Sequence, residues 1–291
     1  IVENENLGGI CLNWGCIPTK ALLKSAQVYE YLKHVDEYGL KAKEIDKDFT
    51  AVVKRSRNVA DGMSKGVQFL MKKNNIEVIN GFGKVKAGKK VVVTDADKKE
   101  TEYTADHIII ATGARAKELP FLPIDGKKII GYRQAMTLPE QPKKMIIVGS
   151  GVFFVEFAYF YNAMGTEVTI VEFLPNLVPL EDEEISKQFE RSFKKSGIHV
   201  MTNSSVTKVD TSGKGVIATV KTKTGEETLE ADIVLSAVGI KSNIENIGLE
   251  DVGIAVDRDK ILVNEYYQTN IPGYYAIGDV VPGPALAHVA S

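Results

Sequence analysis

The sequence predicts an α/β protein made of two halves built to one plan, each around a mostly parallel sheet. Three observations carry that expectation. Helix-period segments alternate along the chain with short apolar runs of strand length, the pattern of a parallel sheet covered by helices. The string Ile1-Val2-Glu3 returns as Ile170-Val171-Glu172. The segment from Ala105 to Gly113 is matched by the one from Ala231 to Gly239. Each has a polar start, an apolar strand and a closing glycine, and each follows a hairpin signal, around Asp95 to Lys99 and around Thr224-Gly225. Internal repetition of this kind changes how the whole chain is read.

Taken in order, Ile1 to Glu3 read as the end of a buried strand. If the repeat holds, the first half needs a glycine turn about 23 positions before Glu3, the offset of Gly149 from Glu172, so an opening strand, a Gly-rich turn and a helix are expected to be missing. Residues 16–38 and 49–74 read as helices, with Leu22, Leu23 and Ala26 on one apolar face and Val67, Leu70 and Met71 on the other. Short Val- and Ile-rich strands follow. After Pro139 come a strand over 145–148, a helix over 152–163 and a strand over 167–171. A helix over about 182–196 then carries Ile185, Phe189 and Phe193 at four-residue spacing, closed by Gly197. Residues 241–291, rich in short strands, Gly and Pro, return to the first half.

Composition narrows the function. A chain of 291 residues suggests about two domains. Its 36 basic and 38 acidic residues are spread without long like-sign blocks, so no electrostatic footprint for nucleic acid or an anionic membrane is expected and a small-molecule partner is. No apolar run approaches the ~18 residues of a spanning helix, and the start lacks a signal-peptide pattern, so a soluble protein is expected. Two cysteines are too few for a disulfide scaffold.

Gly149-Ser150-Gly151, after an apolar strand and before a helix, with Glu172 beyond, is most of a dinucleotide-binding fingerprint. The first glycine makes the turn, the second lets backbone approach a pyrophosphate, and the helix N-terminus favours its negative charge. Glu172 suits both ribose hydroxyls, and no Arg follows through Glu190, so NAD is expected over NADP. Phe154 stands where the third glycine belongs, which is expected to wedge the helix from its strand or crowd the nucleotide.

Cys11 and Cys16 lie beside Gly8-Gly9 and Pro18. Their spacing suits no zinc clamp, so no metal is expected. A deformed first helical turn would bring the sulfurs within disulfide reach, a helix N-terminus would stabilise a thiolate, and two inert buried thiols remain a third reading.

The run Leu7-Gly8-Gly9-Ile10-Cys11-Leu12-Asn13-Trp14-Gly15-Cys16-Ile17-Pro18-Thr19-Lys20 resembles the redox-disulfide segment of the flavoprotein disulfide reductases, and within them the dihydrolipoamide dehydrogenases. The resemblance runs the length of the chain, through Ala111-Thr112-Gly113, the second nucleotide turn, Tyr275-Ala276-Ile277-Gly278-Asp279 and Ala285-Leu286-Ala287-His288. It implies tandem Rossmann-like FAD- and NAD-binding domains. Residues 1–138 would form the FAD domain without its first βαβ unit, 139–240 the NAD domain, and 241–291 a return to the FAD and central domains, with a C-terminal dimerisation domain missing.

Carried across, Cys11 and Cys16 form the redox disulfide, Cys11 as the interchange thiol for dihydrolipoamide and Cys16 as the thiolate facing the flavin. Glu3 binds the adenosine ribose of FAD, and Gly8 and Gly9 belong to the same binding segment. Lys20 lies near flavin N5 and pairs with Glu156. Gly83, Thr112, Gly113 and Ala114 line the adenine side, Asp279 holds the ribityl chain, and Ala285, Leu286, Ala287 and His288 meet the isoalloxazine ring. Val206 and Gly239 join Gly149, Ser150, Gly151 and Glu172 around NAD. The expected partners are the lipoyl domain of 2-oxoacid dehydrogenase complexes and a second copy in a homodimer, in the cytoplasm. The family's His-Glu acid-base pair comes from the partner's C-terminal domain, and His34, His107, His199 and His288 do not replace it, so the 291-residue chain alone is expected not to turn over. The competing reading is a non-catalytic remnant, or a glutathione- or mercuric-reductase-like fragment without a working NAD site.

Overall fold

The structure, a computed structural model, describes residues 1–290. By packing the chain forms two compact units, Trp14–Asp61 with Ala116–Gly239, and Ile1–Asn13 with Gly62–Arg115 and Ile240–Ser291.

The first of these is built on a five-stranded parallel sheet. Its order is His199–Met201, Glu167–Val171, Lys144–Val148, Ile233–Ser236, Ile129–Ile130. The β-branched runs that fill these strands are buried, as a sheet covered on both faces requires. An antiparallel meander of Ser205–Asp210, Val216–Lys221 and Glu226–Ala231 closes one side, and Val148, Val171 and Val234 of the sheet share a core with Val206, Val216 and Val220 of the meander. Helix Val152–Ala163 packs on strand Glu167–Val171 and buries Phe157, Phe160 and Tyr161. Helix Glu183–Lys195 starts where Asp182 accepts from the N–H groups of Glu184 and Ile185 and stops before Gly197, whose φ of +85° ends a helix cheaply.

In the other unit, strand Val2–Glu3 pairs in parallel with Ile79–Asn80, and Ile108–Ile110 pairs in parallel with Tyr274–Ala276. Its meander runs Phe82–Lys86, Lys90–Thr94, Glu100–Thr104. Both units therefore place a three-stranded meander just before a parallel strand that ends near a positive-φ glycine, Gly113 at +68° and Gly239 at +110°. The sequence repeat is thus a repeat of architecture.

Several expectations about faces need correction. Ile1 is 54% exposed and Val2–Glu3 only half-buried, so this strand is not a buried one. The helix expected over 16–38 ends at Lys33, and a separate 3-10 turn spans Val35–Tyr38. Leu70 is exposed and Val67 and Met71 half-buried, although their spacing is helical, because the helix Phe49–Lys73 presents that stripe where little packs on it. In helix Glu183–Lys195 the four-residue series also slips. Ile185 is 58% exposed, and the neighbouring Ser186 is buried with its hydroxyl directed to the Val178 carbonyl.

Candidate functional site

The cysteine segment is shaped by its glycines. Gly8 and Gly9 sit at φ of +100° and +65°, which a side chain resists, and they turn the chain into a short helix Gly9–Trp14. Buried Asn13 fixes that turn, its Nδ2 donating to the carbonyls of Leu7 at 3.0 Å and Gly9 at 2.9 Å. The helix breaks at Gly15 (φ −142°, ψ −116°) and restarts as Cys16–Lys33. Cys11 and Cys16 are bonded as a disulfide. The break resolves the three readings left open by their spacing, because a continuous helix would not bring positions five apart together. Cys16 opens an 18-residue helix that has no side-chain cap, so the positive end of the helix dipole lies where a thiolate would form.

Four residues on, Lys20 Nζ donates to Glu156 Oε1 at 2.5 Å, tying this helix to Val152–Ala163. The expected pair is therefore formed. Trp14 lies under the guanidinium of Arg57, 4.2 Å from the ring centroid, and within 5.1 Å of that of Arg133. Burial lowers the Arg57 pKa from the usual arginine value, and Asp61 opposes that shift.

The second nucleotide turn sits at the carboxyl end of Lys144–Val148, beside Ile233–Ser236, where the strand order of the sheet reverses. Such a switch point is where open α/β sheets take ligands. At Gly149 (φ +103°) a Cβ would fall 2.9 Å from the Ala237 carbonyl carbon and nearer its oxygen, so only hydrogen fits. Glu172 is buried, its Oε2 accepting from the Ser150 hydroxyl at 2.6 Å and its Oε1 from the Leu174 N–H at 2.7 Å. A carboxylate has about four acceptor positions, so two remain for vicinal hydroxyls. Glu3 repeats the device, accepting from the N–H of Glu5 at 2.9 Å. It borders a cleft of about 530 Å³ whose lining includes Leu7, Gln68, Lys72 and Val78.

Phe154 is buried. Its ring is 6% exposed, rests edge-on to Phe153 with centroids 5.5 Å apart, and lies 3.9 Å from where a Cβ of Gly151 would be. Helix Val152–Ala163 forms with the ring buried, so the expected wedge is replaced by a core residue.

Of the remaining expected residues, Thr112 and Gly113 are stapled to residue 243. Thr112 Oγ1 donates to the Asn243 carbonyl at 2.6 Å, Asn243 Nδ2 to the Thr112 carbonyl at 3.0 Å, and the Asn243 N–H to Gly113 at 2.8 Å. Ala114 is buried beside them, and Arg115 makes a two-pronged bond to Glu245. The hydrogen bonds of Arg115 and Lys241 hold the Glu245 carboxyl well below the usual carboxylate range. Gly83 faces Val2, whose Cγ1 would lie 3.2 Å from an added Cβ, so its smallness serves strand packing at least. Val206 lies in the core between sheet and meander, and Gly239 accepts from the Lys117 N–H. Ala285, Leu286, Ala287 and His288 lie on an exposed stretch, and its short helix Ala287–Ala290 packs on the turn Gly278–Val280 that holds Asp279.

Two residues escaped sequence reasoning. Lys260 Nζ and the hydroxyl of fully buried Ser242 both donate to the Asp279 carbonyl, at 2.6 and 2.7 Å, and Lys260 also donates to Ser242 Oγ at 2.9 Å. They fix the turn Gly278–Val280 that presents Asp279. Lys260→Met should speed amide exchange across Gly278–Val281 about tenfold, since a hydrogen bond to an ion is lost from a local opening unit, and Lys260→Arg should restore protection. Exchange monitored by mass spectrometry reads both. Among the described residues no cluster of ligands for a metal occurs, and no helix is long and apolar enough to cross a membrane.

A sequence model of the family described as pyridine nucleotide-disulphide oxidoreductase matches residues 1–291. Among curated relatives, a dihydrolipoyl dehydrogenase of Rhizobium etli is 44% identical over all of this chain and 64% of its own, and one of Zymomonas mobilis is 43% identical over all of this chain and 63% of its own. Among solved structures, LpdA from Mycobacterium tuberculosis superposes with a TM-score of 0.92 at 28% identity, covering 99% of this chain and 63% of that one. The hypochlorous acid-induced flavoprotein disulfide reductase RclA of Escherichia coli gives 0.83 at 26%, covering 99% and 62%. The chain thus spans less than two thirds of the length of these relatives.

Proposed function

Because the chain belongs to the pyridine nucleotide-disulphide oxidoreductase family, whose members use FAD and NAD(H), we propose that it is part of a dihydrolipoyl dehydrogenase that passes electrons from dihydrolipoamide through Cys11–Cys16 and FAD to NAD. The observation that carries this reading is the disulfide closed across the Gly15 break at a helix N-terminus, with the Lys20–Glu156 pair one turn away. FAD, when bound, supplies two-electron exchange between a dithiol and a nicotinamide.

The residues present fit both nucleotides. Gly149 allows the backbone approach a pyrophosphate needs, and Glu172 and Glu3 each keep acceptor positions for a ribose. In this reading Glu3, Gly8, Gly9, Gly83, Thr112, Gly113, Ala114, Asp279 and the backbone of 285–288 hold FAD, and Gly149, Ser150, Gly151, Glu172, Val206 and Gly239 hold NAD. Cys11 exchanges with the substrate dithiol, and Cys16 is left as the thiolate that the helix N-terminus stabilises. Lys20, oriented by Glu156, places a positive charge beside that reaction. The FAD domain is assigned to 1–138, the NAD domain to 139–240 and the return segment to 241–291. These are boundaries of nucleotide binding, and the compact units reflect packing alone. A homodimer, lipoyl-domain partners and a cytoplasmic setting belong to the same proposal.

Anaerobic addition of dihydrolipoamide and then NAD to the FAD-loaded full-length dehydrogenase, of which this chain is proposed to be part, tests it. Bleaching of the flavin followed by NADH formation is expected. A protein that takes up no flavin, or whose disulfide the dithiol leaves intact, would remove the reading.

A further inference from the structure

Only three side-chain polar atoms among the described residues are buried without a hydrogen-bond partner, and two of them flank Cys16: Trp14 Nε1 and Thr19 Oγ1. Thr19 is 1% exposed. A threonine in a helix ordinarily directs its hydroxyl to the carbonyl three or four residues earlier, here Cys16 or Gly15. Thr19 makes no such bond, although its own N–H donates to the Gly15 carbonyl at 3.1 Å. A buried donor left unmade is costly, and a native structure keeps few.

What lies three residues before it is Cys16. Positions three apart on a helix have Cβ atoms about 5–6 Å from each other, and the tilt of the Cα–Cβ bond carries the later side chain back over the earlier one. Leu22 and Ala26, both fully buried, mark the core side of this helix, and Thr19 is buried with them, while Cys16 lies on its exposed side in the disulfide state. In the disulfide, Cys16 sulfur is a poor acceptor. As a thiolate it is a strong one.

Resting on the proposed redox role of the pair, we infer that the Thr19 hydroxyl is the donor reserved for the Cys16 thiolate, idle while the disulfide is closed and engaged when it opens. The step balances with a dithiol as reductant. Its two thiols become a disulfide, the Cys11–Cys16 bond breaks, Cys11 keeps one proton as a thiol, Cys16 becomes a thiolate, and one proton leaves to solvent. The hydrogen bond then favours the reduced side, so Thr19 is a positioning residue that biases the couple toward reduction.

Equilibration of the 291-residue chain with graded ratios of reduced to oxidised dithiothreitol, quenched by alkylation and read by mass spectrometry, tests this. Thr19→Val keeps the shape and removes the hydroxyl. Its reduction equilibrium should be about tenfold less favourable than that of the unaltered chain, or about 30 mV for a two-electron couple. Thr19→Ser should titrate within about twofold of the unaltered chain. The oxidised Thr19→Val chain should unfold at no lower urea concentration, since no bond is lost in that state. Identical titrations for Thr19→Val and the unaltered chain, an equal shift in Thr19→Ser, or a destabilised oxidised Thr19→Val would each overturn the inference. A pair that no dithiol reduces in the unaltered chain would instead sink the proposed function and this inference together.

Discussion

Replacing Cys16 by serine in the full-length dehydrogenase is expected to reduce dithiol-dependent NADH formation by the FAD-loaded enzyme to the uncatalysed background while leaving the fold intact. Serine supplies neither the sulfur for the disulfide nor a thiolate at neutral pH, so the electron path is removed rather than slowed. The structural cost is small by comparison. The ring closed between Cys11 and Cys16 is short, and chain entropy puts the stabilisation by such a crosslink at about 2 kcal/mol. Urea unfolding and a coupled NADH assay on one sample separate the two effects. Full activity in the serine protein would show that electrons reach NAD by another route.

Phe154→Gly should lose about 3–5 kcal/mol of stability, with up to about 1 kcal/mol more for a glycine inside a helix. The ring is 6% exposed and packed on Phe153, so its removal leaves a buried cavity. The same change opens the space beside Gly151, where the ring lies 3.9 Å from the place an added Cβ would take, and NADH should bind about tenfold more tightly, or about 1.4 kcal/mol. Calorimetric titration at a temperature where both proteins are folded measures the affinity, and denaturant curves measure the stability. Equal affinities would mean that the ring already leaves the nucleotide its place.

Local signals in the sequence were sufficient for much of this. The strand, the turn at Gly149 and the acid at Glu172 lie within one βαβ unit, and the repeat of Ile-Val-Glu marked two glutamates that prove to share an N–H bond from two residues on. What depended on a distant partner was not legible. Leu70 and Ile185 have the period of buried residues, but period says nothing about whether another element arrives to cover them. Lys260 and Ser242 reach Asp279 from 19 and 37 positions away, and no motif joins them. The residue type at 154 was visible, yet the sign of its effect on packing depended on its ring being buried edge-on to Phe153.

Trp14 is the single tryptophan of the chain, so its emission is that of the redox segment alone. The indole lies within reach of two guanidinium groups and two residues from Cys16, where opening of the disulfide changes the charge beside it. The protein therefore carries an intrinsic fluorophore at its reactive end. Intensity followed against added dithiol would trace the chemistry of Cys11 and Cys16 in real time, with no label and no flavin required.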